Sequence, residues 1–306
     1  MALAEKLFKA FHEKNAIQRH IARRFLFDIF QRFGLHITGD HFYEIIPNTR
    51  LITEKYSELP RNLPGIDWRL ADCDERALDL INHYGAEFFE SSTRFGFQEK
   101  NFYFRGADAL MLYLVLREAK PKKLIEIGQG FSTRIILAAL EKNASETGAP
   151  ARLISIDPYP RLKAKDFPET VSLELIQREV QDVEMVPLLK DCDFLFVDSS
   201  HAFKFGSDVA FEFTALYPHL QKNTLLHLHD IFSPYDYPRD WMVKDKRFWN
   251  EQYVLECFLM FNSAFEIHLP VHLLVRQSKN FAQAVRGLRL DENFQFRGGS
   301  FYLKRI

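Results

Sequence analysis

The sequence predicts an α/β protein with a doubly wound, mostly parallel Rossmann-like sheet that carries helices on both faces. From Lys122 onward, short apolar runs alternate with helical segments, which is the pattern of βαβ units. The runs are apolar along most of their length, as expected of strands buried on both faces of a parallel sheet. A turn with two glycines follows the first run, and such turns lead from a strand into a helix.

Composition is that of a folded globular protein, because 47% of the 306 residues are hydrophobic and 26% are charged. The formal net charge of -1 excludes wholesale electrostatic attraction to nucleic acid or to an anionic membrane. The three cysteines show no Cys-x-x-Cys spacing, which excludes a disulfide framework and indicates a reducing compartment. No apolar run reaches the roughly 20 residues of a membrane span. We therefore expect a cytoplasmic protein that does not bind nucleic acid.

Residues 1–100 are predicted to form a helical N-terminal extension and a connector. Apolar residues recur at helical spacing through residues 1–33, where seven basic residues outnumber three acidic ones. Such a helix packs on its own core, or it mediates self-association or contact with a membrane surface, and these alternatives stay open. Residues 41–70 carry three prolines and predict an irregular connector, while residues 72–90 and 107–120 predict two further helices.

Residues 101–306 are predicted to form one domain built on the sheet. Its buried parallel strands are expected at residues 124–127, 153–156, 173–176, 194–197 and 225–228, and two edge strands are expected at 265–269 and 300–304. A long aromatic segment, at about residues 231–253, predicts an insertion after the fifth strand. This insertion covers a substrate, or its aromatic side chains form a satellite core.

The glycine turn, EIGQGFST at residues 126–133, is the strongest chemical signal in the sequence. Gly128 and Gly130 let the backbone approach a ligand that a Cβ would block. The next helix, with Ser132 as its predicted cap, supplies free N–H groups. A dinucleotide site fits less well, because Thr133 stands where that motif has a third small residue. A tight turn without a ligand is the remaining alternative.

Together with an acid after the second strand and the segments FVDSSHAFKFGSDV and LLHLHDIFSPYDYP, this motif resembles the class I S-adenosylmethionine-dependent methyltransferases. The two segments resemble a bacterial subgroup with Asp-x-x-His after strand four and His-Asp after strand five. The resemblance covers residues 101–306. It implies methyl transfer to an oxygen, with nitrogen as the alternative, of a small polar acceptor. Other readings are a non-catalytic Rossmann-like binding protein and a metal-dependent hydroxylase-like relative.

The resemblance also implies where S-adenosylmethionine binds. Glu126, Gly128 and Gly130 would line its methionine and ribose, and Asp157 would accept hydrogen bonds from the ribose hydroxyls. Asp182 stands where the family often places an adenine contact. Three further residues are expected at the cofactor: Gln129, Ser132 and Asp198.

Four residues that follow predicted strands four and five are expected to surround the acceptor: Asp198, His201, His229 and Asp230. Histidine titrates near neutrality, so we predict His201 as the general base and His229 as a second catalytic histidine. Asp198, His229 and Asp230 are also candidate ligands of a divalent cation, Mg²⁺ or Mn²⁺. In the metal-free alternative, Asp230 fixes the tautomer of a histidine.

Overall fold

The computed structural model of the protein describes residues 27–36, 38 and 44–306. Most of the helix predicted at residues 1–33 lies outside the described residues, although residues 27–31 are helical. The role expected of that helix stays a prediction. Within the described part of the chain, no helix is long and apolar enough to cross a membrane.

The described elements between residues 44 and 119 are helices, and strands and helices alternate from residue 123 onward. The α-helices are α1 (Thr49–Lys55), α2 (Leu70–Tyr84), α3 (Phe88–Ser92), α4 (Ala107–Ala119), α5 (Phe131–Thr147), α6 (Met185–Leu189), α7 (Asp208–Phe211), α8 (Arg239–Val243), α9 (Glu251–Leu259), α10 (Val271–Gln277) and α11 (Lys279–Arg286). The strands are β1 (Lys123–Ile127), β2 (Ala151–Ile156), β3 (Val171–Ile176), β4 (Phe194–Val197), β5 (Leu225–Leu228), β6 (Phe265–Pro270) and β7 (Phe301–Arg305).

The chain divides into two compact units. One unit comprises Met1–Ser57 and Pro238–Phe248, and its described helices α1 and α8 pack together. The other comprises Glu58–Tyr237 and Trp249–Ile306 and contains the whole sheet.

The sheet is doubly wound, in the order β3-β2-β1-β4-β5-β7-β6. Strands β1 to β5 are parallel, and β7 runs antiparallel between β5 and β6. Leu124 lies opposite Leu153 in β2 and opposite Phe194 in β4, and all three are fully buried. The predicted α/β fold is therefore confirmed. Chain order reverses between β1 and β4, and a crevice for ligands forms at the carboxyl ends of strands where such a reversal occurs.

One predicted helix, at residues 72–90, is divided in the structure. Helix α2 ends at Tyr84, a short 3₁₀ turn follows at Gly85–Glu87, and α3 begins at Phe88. A Cβ on Gly85 would lie 2.7 Å from the Leu288 side chain, so the missing side chain allows Leu288 to pack there. Glycine also weakens a helix interior by about 1 kcal/mol relative to alanine, which is consistent with the break.

Candidate active site

The two glycines of the turn after β1 differ in the space that a side chain would find at each position. Gly128 has φ +85°, and a Cβ on it would lie 2.0 Å from the backbone oxygen of Asp198. Its own N–H donates to the Ile156 carbonyl at 3.0 Å, so the ends of β1, β2 and β4 meet at this residue. At Gly130, by contrast, a Cβ would meet nothing within 4 Å. The chain fold requires the first glycine, whereas the second faces open space.

Glu126, a residue of β1, stabilises the turn through hydrogen bonds. It is fully buried, and its carboxylate accepts hydrogen bonds from Thr133 Oγ1 at 2.7 Å and Ser155 Oγ at 2.8 Å. Burial raises the pKa of Glu126 to about 8, because desolvation outweighs the two hydroxyl donors. Thr133 Oγ1 also accepts from the Gly130 N–H at 3.0 Å. Gly130 is therefore the N-cap residue of α5, and the predicted cap Ser132 is instead the buried second residue of the helix.

Asp157, which follows β2, holds the adjoining loop while it remains half-buried. Its Oδ2 accepts from the backbone N–H of Gln129 at 2.7 Å, and its Oδ1 accepts from that of Tyr159 at 2.6 Å. The Gln129 side chain points into the same loop, where its Oε1 accepts from the Leu162 N–H. The Gln129 amide therefore organises the loop, whereas Asp157 keeps part of its carboxylate accessible.

A cavity of about 430 Å³ opens where β1, β2 and β4 end, and we call it the β1–β2–β4 cleft. Gly128, Asp157 and Asp198 lie in its wall. The residues after β3 that line it are Glu179, Val180 and Gln181, whereas Asp182 is exposed outside it. Gln181 Oε1 is buried, and no hydrogen bond to it is found among residues 27–36, 38 and 44–306. This glutamine was not predicted, because the register of the loop after β3 is not set by any local pattern.

His201 lies between carboxylates on both sides of its ring. Its Nδ1 is 2.8 Å from Glu251 Oε2, and its Nε2 is 3.4 Å from Asp198 Oδ1 and 3.6 Å from Asp230 Oδ2. The Trp249 ring packs against the imidazole, with the ring centroids 4.4 Å apart. His201 is buried and has φ +59°, a conformation that is uncommon for residues other than glycine. The left-handed backbone of His201 is energetically unfavourable, and it places the imidazole ring between the carboxylates.

His229, directly after β5, occupies an equivalent position between carboxylates. Its Nδ1 is 3.3 Å from Asp198 Oδ1 and 3.8 Å from Asp230 Oδ2, and its Nε2 is 3.5 Å from Asp108 Oδ2. Asp230 also has a left-handed backbone, with φ +55°. These six side chains, which we call the histidine network, are Asp108, Asp198, His201, His229, Asp230 and Glu251.

The network favours two imidazolium ions. Burial alone would lower the pKa of His201, but hydrogen bonds to Asp198 and Glu251 raise it to about 10. The pKa of His229 also lies well above its usual value, because Asp230 and Asp198 outweigh burial. Burial would raise the pKa of Asp198, yet the two histidines hold it below its usual range. At Asp230 burial prevails and the pKa is raised.

The strands and turns that build this site match a known family. Residues 125–231 match a family model described as a methyltransferase domain, from the middle of β1 to just past the histidine network's Asp230. The match covers about a third of the chain. The match confirms the predicted resemblance to class I methyltransferases, and the bacterial subgroup stays a prediction.

Three individual proteins are similar to parts of this chain. An uncharacterized protein of Archaeoglobus fulgidus is 27% identical in an alignment of 160 residues that covers 47% of this chain and 69% of that protein. An apo-structure titled CmcI-N160 covers 65% of this chain and 71% of its own, with 18% identity and a TM-score of 0.37. The SAH-bound Podospora anserina methyltransferase PaMTH1 covers 81% of this chain and 100% of its own, with 16% identity and a TM-score of 0.37. Neither structural similarity is high enough to assign a function.

Two members of the histidine network lie outside the matched methyltransferase domain, and the sequence did not predict them. Asp108, in the first turn of α4, accepts from the backbone N–H groups of Gly299 at 2.9 Å and Ser300 at 2.6 Å. Glu251 is the first residue of α9. The only sequence signal for either is an acid in the first turn of a helix, which usually indicates an interaction with the helix dipole.

The predicted divalent cation finds no support around the methyltransferase domain. Among the described residues, no group of three or more His, Cys, Asp or Glu side chains is placed to hold a metal ion. The reason is visible at His229, because its two ring nitrogens face Asp198 and Asp108. An imidazole that donates to carboxylates on both sides has no lone pair for a cation. The residues predicted as ligands therefore pair with one another.

The aromatic segment that follows the methyltransferase domain is partly core. Tyr237 is buried, and its hydroxyl accepts from the Gln252 N–H at 3.2 Å. Its ring packs edge-on against Trp249 and Tyr253, with centroid distances of 6.2 and 5.8 Å. For these residues the satellite-core interpretation holds. Pro238–Phe248 belongs to the other unit, so the proposed covering of a substrate stays a prediction.

Proposed function

We propose that the chain transfers a methyl group from S-adenosylmethionine to an oxygen of a small polar acceptor. The observation that carries the proposal is the β1–β2–β4 cleft, a cavity of about 430 Å³ at the switch point of a methyltransferase-family domain. The acceptor would lie toward the histidine network, because Asp198 belongs to both.

In this proposal the cofactor ribose binds Asp157. Each Asp157 oxygen already accepts one backbone N–H, and each carboxylate oxygen can accept two hydrogen bonds. One acceptor position per oxygen therefore remains for the two ribose hydroxyls. The adenine would extend toward Gln181, whose buried Oε1 has no partner among the described residues and suits an exocyclic amino group.

We propose that Asp230, rather than His201, is the general base that takes the hydroxyl proton of the methyl acceptor. Methyl transfer breaks the bond between sulfur and the methyl carbon and forms a bond from that carbon to oxygen, and the hydroxyl proton must go to a base. His201 faces carboxylates with both ring nitrogens, so as an imidazolium it has no lone pair to accept a proton. Asp230 Oδ2 is 3.6 Å from His201 and 3.8 Å from His229, and burial raises its pKa. The two imidazoliums then orient this carboxylate.

Calorimetric titration with S-adenosylhomocysteine tests the cofactor site. We expect the native protein to bind, and Gly130→Val to bind about tenfold more weakly or worse, because overpacking costs about 1–3 kcal/mol. Gly130→Ala is the matched smaller change, and it should show a smaller loss. Gly130→Ala should unfold close to the native temperature, since a Cβ on Gly130 meets nothing within 4 Å, and thermal unfolding of Gly130→Val checks that its larger side chain leaves the fold intact. Absence of binding by the native protein would contradict the proposal.

Assays with methyl-labelled S-adenosylmethionine and a panel of hydroxylated and amino acceptors test the reaction. Once an acceptor is found, Asp230→Asn should lower turnover by about 10²–10⁴-fold, the usual contribution of a general base. Affinity for S-adenosylhomocysteine should remain unchanged in that variant. A chelator should leave turnover unchanged, because the histidine nitrogens face carboxylates. Loss of turnover in His201→Gln with full activity in Asp230→Asn would restore His201 as the base.

A further inference from the structure

A second cavity, of about 480 Å³, lies between α2, the end of α4 and the sheet. Its sheet residues are Leu225, the first residue of β5, and His268 of β6. His229 follows the last residue of β5, so the second cavity and the histidine network lie at opposite ends of this strand. The volume is that of a small-molecule site, for which about 300–1,000 Å³ is typical.

His268 reaches this cavity from a β-bulge. Ile267 pairs with Leu303 and Leu269 pairs with Tyr302, so His268 is the additional residue between them. Bulges of this kind redirect a side chain and are frequent beside binding sites. His268 Nδ1 is buried, and the described part of the chain offers it no hydrogen-bond partner. Burial, with Arg76 and Lys304 nearby, lowers the pKa of His268 to about 3, which keeps the imidazole neutral.

Arg76 projects from α2 into the same cavity. Its Nε is buried and likewise has no hydrogen-bond partner among residues that the structure describes. Arg69, in the same wall, differs, because it forms ion pairs with Asp72 at 3.0 Å and with Glu266. A buried polar group without a partner is costly, so two such nitrogens on residues that line one cavity are the observation that points to a ligand here.

Acidic side chains stand around the cavity and limit what it accepts. Asp72 is paired with Arg69, and Glu118 accepts from the Tyr84 hydroxyl at 2.9 Å. Glu75 and Asp79 also lie in the wall and are exposed. These carboxylates would repel a polyanion such as nucleic acid, whereas one anionic group could reach the guanidinium and imidazole behind them.

We propose that this second cavity binds a small molecule through one carboxylate or phosphate group, held between Arg76 and His268. A guanidinium forms paired N–H···O hydrogen bonds with either group, and an imidazole N–H adds a third donor. The ligand would satisfy both orphaned nitrogens at once. Because the cavity lies at the opposite end of β5 from His229, the ligand would be distinct from the cofactor and from the methyl acceptor.

Nuclear magnetic resonance of the full chain labelled with ¹⁵N-histidine tests this site without any activity assay. Inorganic phosphate and succinate are the two probes, and they distinguish a phosphate ligand from a carboxylate ligand. We expect at least one probe to shift the ring signals of His268, assigned from their loss in His268→Asn. The signals of His219, an exposed histidine after α7, should not move.

Arg76→Gln then tests the guanidinium, with Arg178→Gln as the control at an exposed arginine outside the cavity. Arg76→Gln should weaken the probe that binds by about tenfold or more, as expected for a lost charged hydrogen bond. Arg178→Gln should bind as the native protein does. If neither probe shifts His268, or if Arg76→Gln binds unchanged, the proposal is wrong. If Arg76→Gln fails to fold, the shift of the His268 ring signals in the native protein still decides whether the cavity binds either probe.

Discussion

The β1–β2–β4 cleft and the histidine network lie side by side at the carboxyl ends of the strands, yet they are built in opposite ways. In the wall of the cleft, each oxygen of Asp157 accepts only one backbone hydrogen bond and keeps a second acceptor position for a ligand, and near the cleft a Cβ on Gly130 would meet nothing within 4 Å. In the network, charged groups face one another, so that His201 and His229 each contact three carboxylates. The cleft is ready to receive a ligand, whereas the network is a preassembled charge cluster.

The largest expected difference between the two regions is in the free energy of unfolding. Substitution of Asp108, in the histidine network, should show it. Asp108→Ala removes a buried carboxylate from His229 and from two backbone N–H groups. We expect the free energy of unfolding in urea to fall by about 3–5 kcal/mol, the usual cost of breaking a buried ion pair. The exposed Asp182→Ala is the control and should change it by less than about 0.5 kcal/mol. Equal stability of the two variants would show that the network is not paired as described.

The cleft has one position with a comparable effect on folding. Gly128→Ala places a Cβ 2.0 Å from the Asp198 carbonyl at φ +85°. The left-handed backbone and the overlap should together lower the free energy of unfolding by about 2–5 kcal/mol. Gly130→Ala, two residues later, should leave it within about 0.5 kcal/mol of native. Similar losses in both variants would mean that the two glycines do not differ as the structure indicates.

The cleft and the histidine network also differ in how much of each could be predicted from the sequence. Gly128 and Asp157 directly follow apolar strands, so alternating strands and helices locate them without tertiary information. Asp108 and Glu251 join the network from helices that no local pattern connects to His201 or His229. The sequence therefore located both histidines and two of the carboxylates that raise their pKa values, Asp198 and Asp230, but not Asp108 and Glu251. A general base was predicted at His201 because an isolated histidine titrates near neutrality, and its partners alter that property.

The charge of His201 gives the third test, through the dependence of stability on pH. The pKa of His201 is about 10 in the folded chain, above the value of about 6.5 expected when unfolded. Its stabilising contribution is therefore complete below about pH 6.5 and is lost as the pH rises through 10. The gap in unfolding free energy between the native protein and His201→Gln should narrow between these values. His219→Gln, at the surface, is the control; a constant gap for His201→Gln would contradict the imidazolium.

In the cleft the corresponding test concerns binding. Asp157→Ala should weaken binding of S-adenosylhomocysteine by about 1.5–3 kcal/mol, or roughly tenfold to 150-fold, as expected for a hydrogen bond to a charged group. Asp157→Asn keeps one acceptor oxygen and should lose less. Calorimetry gives the affinity, and thermal unfolding shows whether the loop held by Asp157 remains folded. A folded Asp157→Ala variant with native affinity would place the ribose elsewhere.

The smallest expected effect separates two neighbouring residues after β3. Gln181 lines the cleft with a buried Oε1, for which the described residues provide no partner, whereas Asp182 is exposed. If Oε1 accepts from the adenine amino group, the native protein should prefer S-adenosylhomocysteine over S-inosylhomocysteine by about 0.5–1.5 kcal/mol, since the inosyl analogue carries oxygen there. Gln181→Leu should abolish this preference, because the acceptor is gone. Asp182→Ala should keep both the preference and the native affinity. The reverse result, with Asp182→Ala losing the preference, would show that the loop after β3 adopts the register that the sequence first suggested.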